Sequence, residues 1–322
     1  PGTFVPSGPR GNLRDSTNEI LINQTDLSVR FDTGGVAHTL VAGAVFSNET
    51  YHLDTGNVLR NPLGATPNPT LPTMNISNPN NVYTGPINFI RTAFTDSEVS
   101  NHAVYVFDRV ELNDQWEING GVRVEHNEGS AVLGAVATPY PAPPAQPVVT
   151  LTGPFRNEAD LLSYRLGVVY QPAEHLSFYA AFGNSETPSQ ATVNGACTAA
   201  TCNVEPEVGR TYEIGAKWDT FDGRLSLTAA VFNNERSSFR VASGDPGVPD
   251  QQLDGSSRVR GLALGATGLL TEYWNVFANY TYLDSELEQS VSDFVIGLGT
   301  VDFLAGDPLP NTPEHSFSLW TT

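Results

Sequence analysis

The sequence predicts an all-β fold, an antiparallel up-and-down transmembrane β-barrel, of which these 322 residues form a part. Three observations support this prediction. Apolar and polar residues alternate along about eleven segments, and short and long connections alternate between those segments. No run of about 18 apolar residues is present, so a transmembrane helix is excluded, whereas barrel strands bury only alternate residues in lipid.

Each of the eleven segments has the period-two pattern of a half-buried strand. In the fifth, Leu162, Tyr164 and Leu166 share one face, and Ser163 and Arg165 share the other. The second face holds charges and glycines, which is typical of a water-filled lumen. Ten of the eleven segments have 11 residues or more, which is enough for the roughly 9–11 that a tilted strand needs to cross a bilayer. The candidate strands are residues 20–31, 38–53, 98–112, 116–128, 161–171, 176–186, 209–219, 225–236, 257–269, 274–287 and 315–322.

The connections follow a strict rule. Five are short and rich in Gly, Pro, Asn and Asp, at 32–37, 113–115, 172–175, 219–223 and 270–273. Five are long, at 54–97, 129–160, 187–208, 237–256 and 288–314. A soluble sandwich has no reason to alternate them, but an outer-membrane barrel has short periplasmic turns and long external loops.

Aromatic side chains cluster beside the short turns, at Tyr170, Trp218, Tyr273 and Trp274. This placement predicts an interfacial girdle. The alternative is that Trp and Tyr simply favour strands.

Composition narrows the function classes. The net charge of −19 argues against a nucleic-acid partner, because phosphate binding needs a basic surface. The six histidines are scattered without the spacing of a metal site, and no nucleophile elbow is present. The sequence therefore predicts neither an enzyme nor a metal site.

The two cysteines, Cys197 and Cys202, lie five residues apart in a Gly/Ala/Thr-rich connection. This spacing suits a small disulfide loop in an oxidising compartment. A metal pair and two free thiols are the alternatives, and the absence of a nearby His or further Cys disfavours the metal.

Several segments resemble one family, the TonB-dependent outer-membrane receptors, and within it the ferric-siderophore branch of catecholate type. The resemblance rests on residues 203–235, with "TYEIGAKWDTFDGRLSLTAAVF", and on 23–49, 102–128, 257–286 and 308–322. It implies TonB-dependent uptake of a ferric siderophore through the bacterial outer membrane, energised by the TonB–ExbB–ExbD system. Iron would enter as the siderophore complex, with no resident cofactor.

Family barrels have about 22 strands and contain a plug domain. We therefore expect residues 1–322 to be a partial receptor barrel domain, without the plug and the closing strands. A receptor for a sugar, a vitamin or another metal complex remains an alternative, as does a passive porin or adhesin barrel.

A ferric catecholate is a bulky anion with aromatic rings, which arginine and aromatic side chains suit. The arginines could instead pair with the plug or with Glu117, Glu125 and Glu213. Neutralising Asp293 and Asp302, in the acidic stretch 284–314, is expected to change binding little. The candidate ligand-binding residues are Arg91, Arg123, Arg165, Arg240, Arg258, Tyr51, Tyr83, Phe89 and Phe239.

Overall fold

A computed structural model describes most of the chain: residues 2–7, 12–59, 70–80, 82–137, 147–195, 197, 199, 201–202, 204–247 and 251–322. Within these residues the structure is almost entirely antiparallel strand, with one five-residue helix, α1 (Asp293–Gly297), in a loop. No helix among these residues has the length and apolar character that would let it cross a membrane.

Eleven strands form one sheet, and strands adjacent in the sequence are adjacent in the sheet. They are β2 (Asn12–Thr33), β3 (Val36–Leu59), β5 (Asn88–Asn113), β6 (Trp116–Ala137), β7 (Val148–Ala173), β8 (Leu176–Thr187), β9 (Glu207–Thr220), β10 (Leu225–Ala242), β11 (Gln251–Thr271), β12 (Trp274–Gln289) and β13 (His315–Thr321). A separate two-stranded ladder pairs β1 (Thr3–Phe4) with β4 (Met74–Asn75). The eleven predicted strands and their up-and-down order are confirmed.

The strands differ from the prediction in length. β5 and β7 have 26 residues each, where the sequence predicted strands at 98–112 and 161–171. Their additional residues lie at the ends that carry the long connections. Apolar residues are adjacent there, as at 89–90 and 148–149, so the backbone ladder continues without the apolar–polar alternation that marks a strand in the sequence.

The short turns have the chemistry that a tight reversal needs. Between β2 and β3, Gly34 and Gly35 have φ angles of 62° and 91°. Only glycine adopts such angles without a steric penalty, and a two-residue hairpin turn with two positive φ angles matches the right-handed twist of strands.

The two faces of the sheet differ in character. The outer face carries rows of exposed apolar side chains, for example Val106, Val122 and Tyr164, which register aligns across three strands. These side chains are 43%, 42% and 41% exposed. Near the short turns Trp116 stacks on Tyr170 with ring centroids 4.5 Å apart. The inner face is the opposite one, which carries Tyr105, Arg123 and Arg165.

Candidate functional site

The centre of the inner face carries a row of side chains that runs across four strands. Register pairs Phe107 of β5 with Gly121 of β6, and Gly121 with Arg165 of β7. Arg165 in turn pairs with Gly183 of β8. Because Gly121 has no side chain, the Arg165 guanidinium reaches across β6 and lies 4.2 Å from the Phe107 ring centroid. That separation is typical of a cation–π contact.

Glycine is required between these two side chains. A Cβ atom at Gly121 would lie 1.9 Å from Cδ1 of Phe107, closer than any two carbon atoms can approach without a bond. The inner-face glycines therefore provide space for aromatic rings from the neighbouring strand, a packing arrangement known to support glycines in sheets. Further pairs share it, among them Gly43 with Tyr105, and Gly215 with Tyr179.

In the adjacent inner-face row, the positive charge of Arg123 is already neutralised. The Arg123 guanidinium carbon lies 5.7 Å from the Tyr105 ring centroid, and Arg123 Nε donates to Glu125 Oε2 at 2.6 Å. The Tyr105 hydroxyl donates to the carboxylate of Asp26. Arg123 thus has a carboxylate partner within the wall itself.

Arg165 differs from its neighbours in this respect. On the other side of the row, Arg109 lies 2.7 Å from Glu117 and 3.3 Å from Glu111. The Arg165 side chain is exposed, and no carboxylate lies within 4.0 Å of it among the described residues. The centre of the inner face therefore presents one unneutralised guanidinium, stacked on an aromatic ring and accessible to solvent.

Arg91 and Arg258 do not join this set, because strand register places both on the outer face. Arg91 Nε lies 2.5 Å from Asp54 Oδ1. Arg258 pairs with Glu286, and its Nη1 lies 2.9 Å from Glu288 Oε1. Both arginines therefore have carboxylate partners on the outer face.

Tyr83 and Phe239 also lie apart from the central row. The Tyr83 hydroxyl donates to the carbonyl of Pro86 at 3.0 Å. Phe239 lies over Gly255 of β11, with the Arg236 guanidinium carbon 5.4 Å from its ring centroid. The side chain of Phe89 lies outside the described residues.

The connection between β8 and β9 folds onto the inner face in its described residues, and we term these the inner segment (188–195, 197, 199, 201–202 and 204–206). Its disulfide joins Cys197 to Cys202 with Cα atoms 5.0 Å apart, within the roughly 4.4–6.8 Å usual for disulfides. Four side chains of the sheet donate hydrogen bonds to its backbone carbonyl oxygens. They are Ser97 to Val193, Asn127 to Gln190 (3.3 Å), Asn157 to Cys202 (2.9 Å) and Arg240 to Ser189 (3.0 Å).

A small apolar cluster lies beneath the inner segment. Val193 packs with Tyr51 of β3 and Val99 of β5, and each is at most 8% exposed. The Tyr51 hydroxyl accepts a hydrogen bond from Arg14 Nη2 at 2.8 Å. Tyr51 and Arg240, two of the predicted ligand-binding residues, therefore both contact the inner segment and help to hold it.

Of the predicted ligand-binding residues, Arg123 and Arg165 lie on the inner face, and their binding of a ligand stays a prediction. The sequence did not predict the contacts of Phe107 and Tyr105 or the hydrogen bonds that hold the inner segment. The sequence holds a partial signal for Phe107 and Tyr105. Gly121 lies two residues from Arg123 and therefore on the same face of the strand. For the inner segment no local signal exists, since Asn127 and Gln190 lie 63 residues apart.

Comparisons with known proteins agree with this architecture. Residues 2–322 match the protein-family model described as TonB dependent receptor-like, beta-barrel. The probable TonB-dependent siderophore receptor PiuA of Acinetobacter baumannii is 32% identical over 235 residues, covering 70% of this chain and 30% of that protein. The catecholate siderophore receptor Fiu of Escherichia coli K12 is 29% identical over 326 residues, covering 96% of this chain and 40% of that protein.

A solved structure gives the same result. The crystal structure of the ferric-catecholate import receptor Fiu from E. coli K12, in its closed form, superposes with a TM-score of 0.74 at 26% identity. The match covers 96% of this chain and 42% of that one. The chain thus spans less than half the length of these relatives.

Proposed function

Because the chain belongs to the TonB-dependent receptor β-barrel family, we propose that it forms part of the barrel wall of an outer-membrane receptor that takes up a ferric siderophore of catecholate type. Uptake would draw its energy from the TonB–ExbB–ExbD system. Iron is the cargo and enters within the siderophore complex. Lipid would contact the outer face, and the ligand would pass along the inner face.

The observation that carries the proposal is the Arg165–Phe107 pair on the inner face. A ferric catecholate combines negative charge with flat aromatic rings. A guanidinium donates charge-assisted hydrogen bonds to such oxygens, and its planar face stacks on rings. Because Arg165 has no carboxylate partner among the described residues, a ligand would not first have to displace one. Fiu, named as a catecholate siderophore receptor, supports this ligand class, and PiuA, named as a probable siderophore receptor, supports a siderophore as the ligand.

The test is equilibrium binding and uptake of a labelled ferric catecholate by cells that carry single substitutions. We expect Arg165→Gln to weaken binding about ten- to a hundred-fold, the range for losing one charged hydrogen bond. Arg165→Lys retains the charge but loses the planar stack, so its affinity should lie between those of the parent protein and Arg165→Gln.

Arg30→Gln is the matched control. Arg30 is also exposed on the inner face, but it has neither an aromatic ring nor a carboxylate as partner among the described residues. Its removal changes the net charge by the same amount and should leave binding unchanged. Equal affinity of Arg165→Gln and the parent protein would contradict the proposal, as would equal losses in both variants.

A further inference from the structure

A group of metal-ligating side chains lies on the outer face, one residue row beyond the apolar row formed by Val104, Val124 and Leu162. His126 of β6 is its centre. The Nε2 atom of His126 lies 3.3 Å from Glu128 Oε1 on the same strand and 4.0 Å from Glu158 Oε1 on β7. One ligand atom from each residue lies within 4.8 Å of the other two.

These separations suit ligands that share one ion. Zinc binds histidine nitrogen and carboxylate oxygen at about 2.0–2.2 Å in tetrahedral geometry, so two of its ligands lie about 3.3–3.5 Å apart. The pair formed by His126 and Glu128 already has that spacing. Glu158 Oε1 must approach His126 Nε2 by about half an ångström, and its exposed side chain can move by a change of rotamer.

The second ring nitrogen of His126 is held in place. Its Nδ1 lies 2.7 Å from Asp160 Oδ1. When Nδ1 donates its proton to Asp160, Nε2 is left as an acceptor that faces the two glutamates. A carboxylate that orients the imidazole in this way is the usual outer partner of a metal-bound histidine.

Apart from His126, no basic group neutralises the two glutamates among the described residues. Register places Glu128 directly opposite Glu158, and like charges in that position are destabilising. Neither glutamate has an arginine or lysine within 4.0 Å among the described residues. Arg156, two positions from Glu158 on the same strand, makes no ion pair with either of them.

We propose that His126, Glu128 and Glu158 together bind one divalent transition-metal ion, for which zinc is the best match, with Asp160 as the positioning residue. The side chains are open to solvent, so water completes the coordination. The site lies on the opposite face from Arg165 and does not depend on the proposed transport function. The sequence did not predict it, because Glu158 is 32 positions from His126 and only strand pairing brings them together.

The test is titration of the purified, detergent-solubilised protein, in the longest natural chain that contains these residues, with Zn²⁺ in a calorimeter and with Co²⁺ in an absorption spectrometer. We expect one saturable ion per chain and the intense visible bands of tetrahedral cobalt. His126→Gln should abolish both signals. Glu158→Gln and Asp160→Asn should each weaken Zn²⁺ binding about ten- to a hundred-fold, the range for lost or misoriented ligands.

His102→Gln is the matched control. His102 lies directly opposite His126 on β5 but packs against Phe46, with ring centroids 5.0 Å apart, and contributes no atom to the group. It should bind zinc like the parent. The proposal is overturned if the parent shows no saturable binding, if His126→Gln retains it, or if His102→Gln loses as much affinity. The folding of each variant is checked by its heat-dependent mobility in gel electrophoresis. A loss of binding in a folded variant can then be attributed to the site.

Discussion

At the scale of single residues, glycine decides the chemistry of the inner face. Gly121 permits Phe107 to lie across β6 and to meet Arg165 on the far side. Any side chain at this position would push the ring away and separate the stacked pair. The guanidinium therefore owes its position to the absent Cβ atom of Gly121, on the strand that lies between Arg165 and the ring it contacts.

Gly121→Ala should accordingly destabilise the protein. Its Cβ would lie 1.9 Å from the Phe107 ring, and overpacking of this kind costs about 1–3 kcal/mol. Gly183→Ala is the control in the same row, because its Cβ would meet nothing closer than 3.6 Å. Urea unfolding in lipid vesicles, followed by tryptophan fluorescence, measures both. Equal stability of the two variants would show that the ring does not occupy this position.

At the scale of elements, the inner segment supplies three of the five largest fully buried side chains among the described residues, Gln190, Val193 and Cys197. Gln190 is fully buried, and Asn157 is 4% exposed. Asn157 Nδ2 donates to the carbonyl of Cys202, and its Oδ1 accepts from the backbone N–H of Gln190 at 3.4 Å. One side chain of β7 thus holds both halves of the segment.

Asn157→Ala should therefore release the segment without unfolding the sheet. It leaves a buried N–H and a buried C=O unpaired, at about 1–3 kcal/mol. Hydrogen exchange at residues 188–206 should accelerate about ten- to a hundred-fold. Asn48→Ala, which removes an exposed hydrogen bond to Glu98, should not change that exchange. Unaltered exchange in Asn157→Ala would mean that other contacts hold the segment.

Hydrogen bonds to the carboxylate of Asp302 hold the acidic loop after β12, and the sequence did not predict them. The carboxylate of Asp302 accepts hydrogen bonds from the backbone N–H and the hydroxyl of Ser290, both at 2.6 Å, and from the N–H of Leu304 at 3.1 Å. Burial tends to raise the pKa of Asp302, but these hydrogen bonds outweigh it and lower the pKa below its ordinary value of 3.8.

The sign of this pKa shift predicts how the loop responds to pH. A carboxylate whose pKa is lower in the folded than in the unfolded state stabilises the fold at neutral pH, and that contribution is lost as pH falls below about 4. Exchange of the loop amides, corrected for the intrinsic pH effect, should therefore rise in acid. In Asp302→Asn it should already be high at pH 7 and change little in acid. A parent loop that stays equally protected at pH 3 would contradict this.

At the scale of the whole molecule, the apolar outer face determines whether the chain can remain monomeric in water. Its apolar rows are exposed across many strands, and β2 and β13 each have one unpaired edge among the described residues. Large exposed apolar surfaces and open strand edges associate in water. We therefore expect the chain to require detergent or lipid to remain monomeric.

An arginine introduced on each face in turn tests whether the outer face contacts lipid. Val122→Arg places a cation in the apolar band and should cost about 2–4 kcal/mol if the site is near the bilayer midplane. Ser28→Arg, on the inner face, should cost far less. Folding yield into lipid vesicles, measured by heat-shift electrophoresis, compares them. Equal yields would contradict the lipid-facing role of the outer face.

The sequence predicted the strands and their order because alternation and turn chemistry are local properties. It predicted Arg123 and Arg165 because strand parity places a side chain on a face. It did not predict that Arg91 and Arg258 lie on the outer face, since a bulge near Gly56 and the pairing of Arg258 with Glu286 appear only once strand register is known. Phe107, Asn157 and Glu158 were missed because their partners are distant in sequence.

The way the inner segment is held has a consequence for variation between strains. Ser97, Asn127, Asn157 and Arg240 all donate to main-chain oxygens of the segment, which every amino acid possesses. Most of its side chains can therefore drift without disturbing its course, provided that Gln190, Val193 and the two cysteines are retained. In the proposed receptor, the side chains that this segment presents could therefore vary while its path over the inner face is preserved.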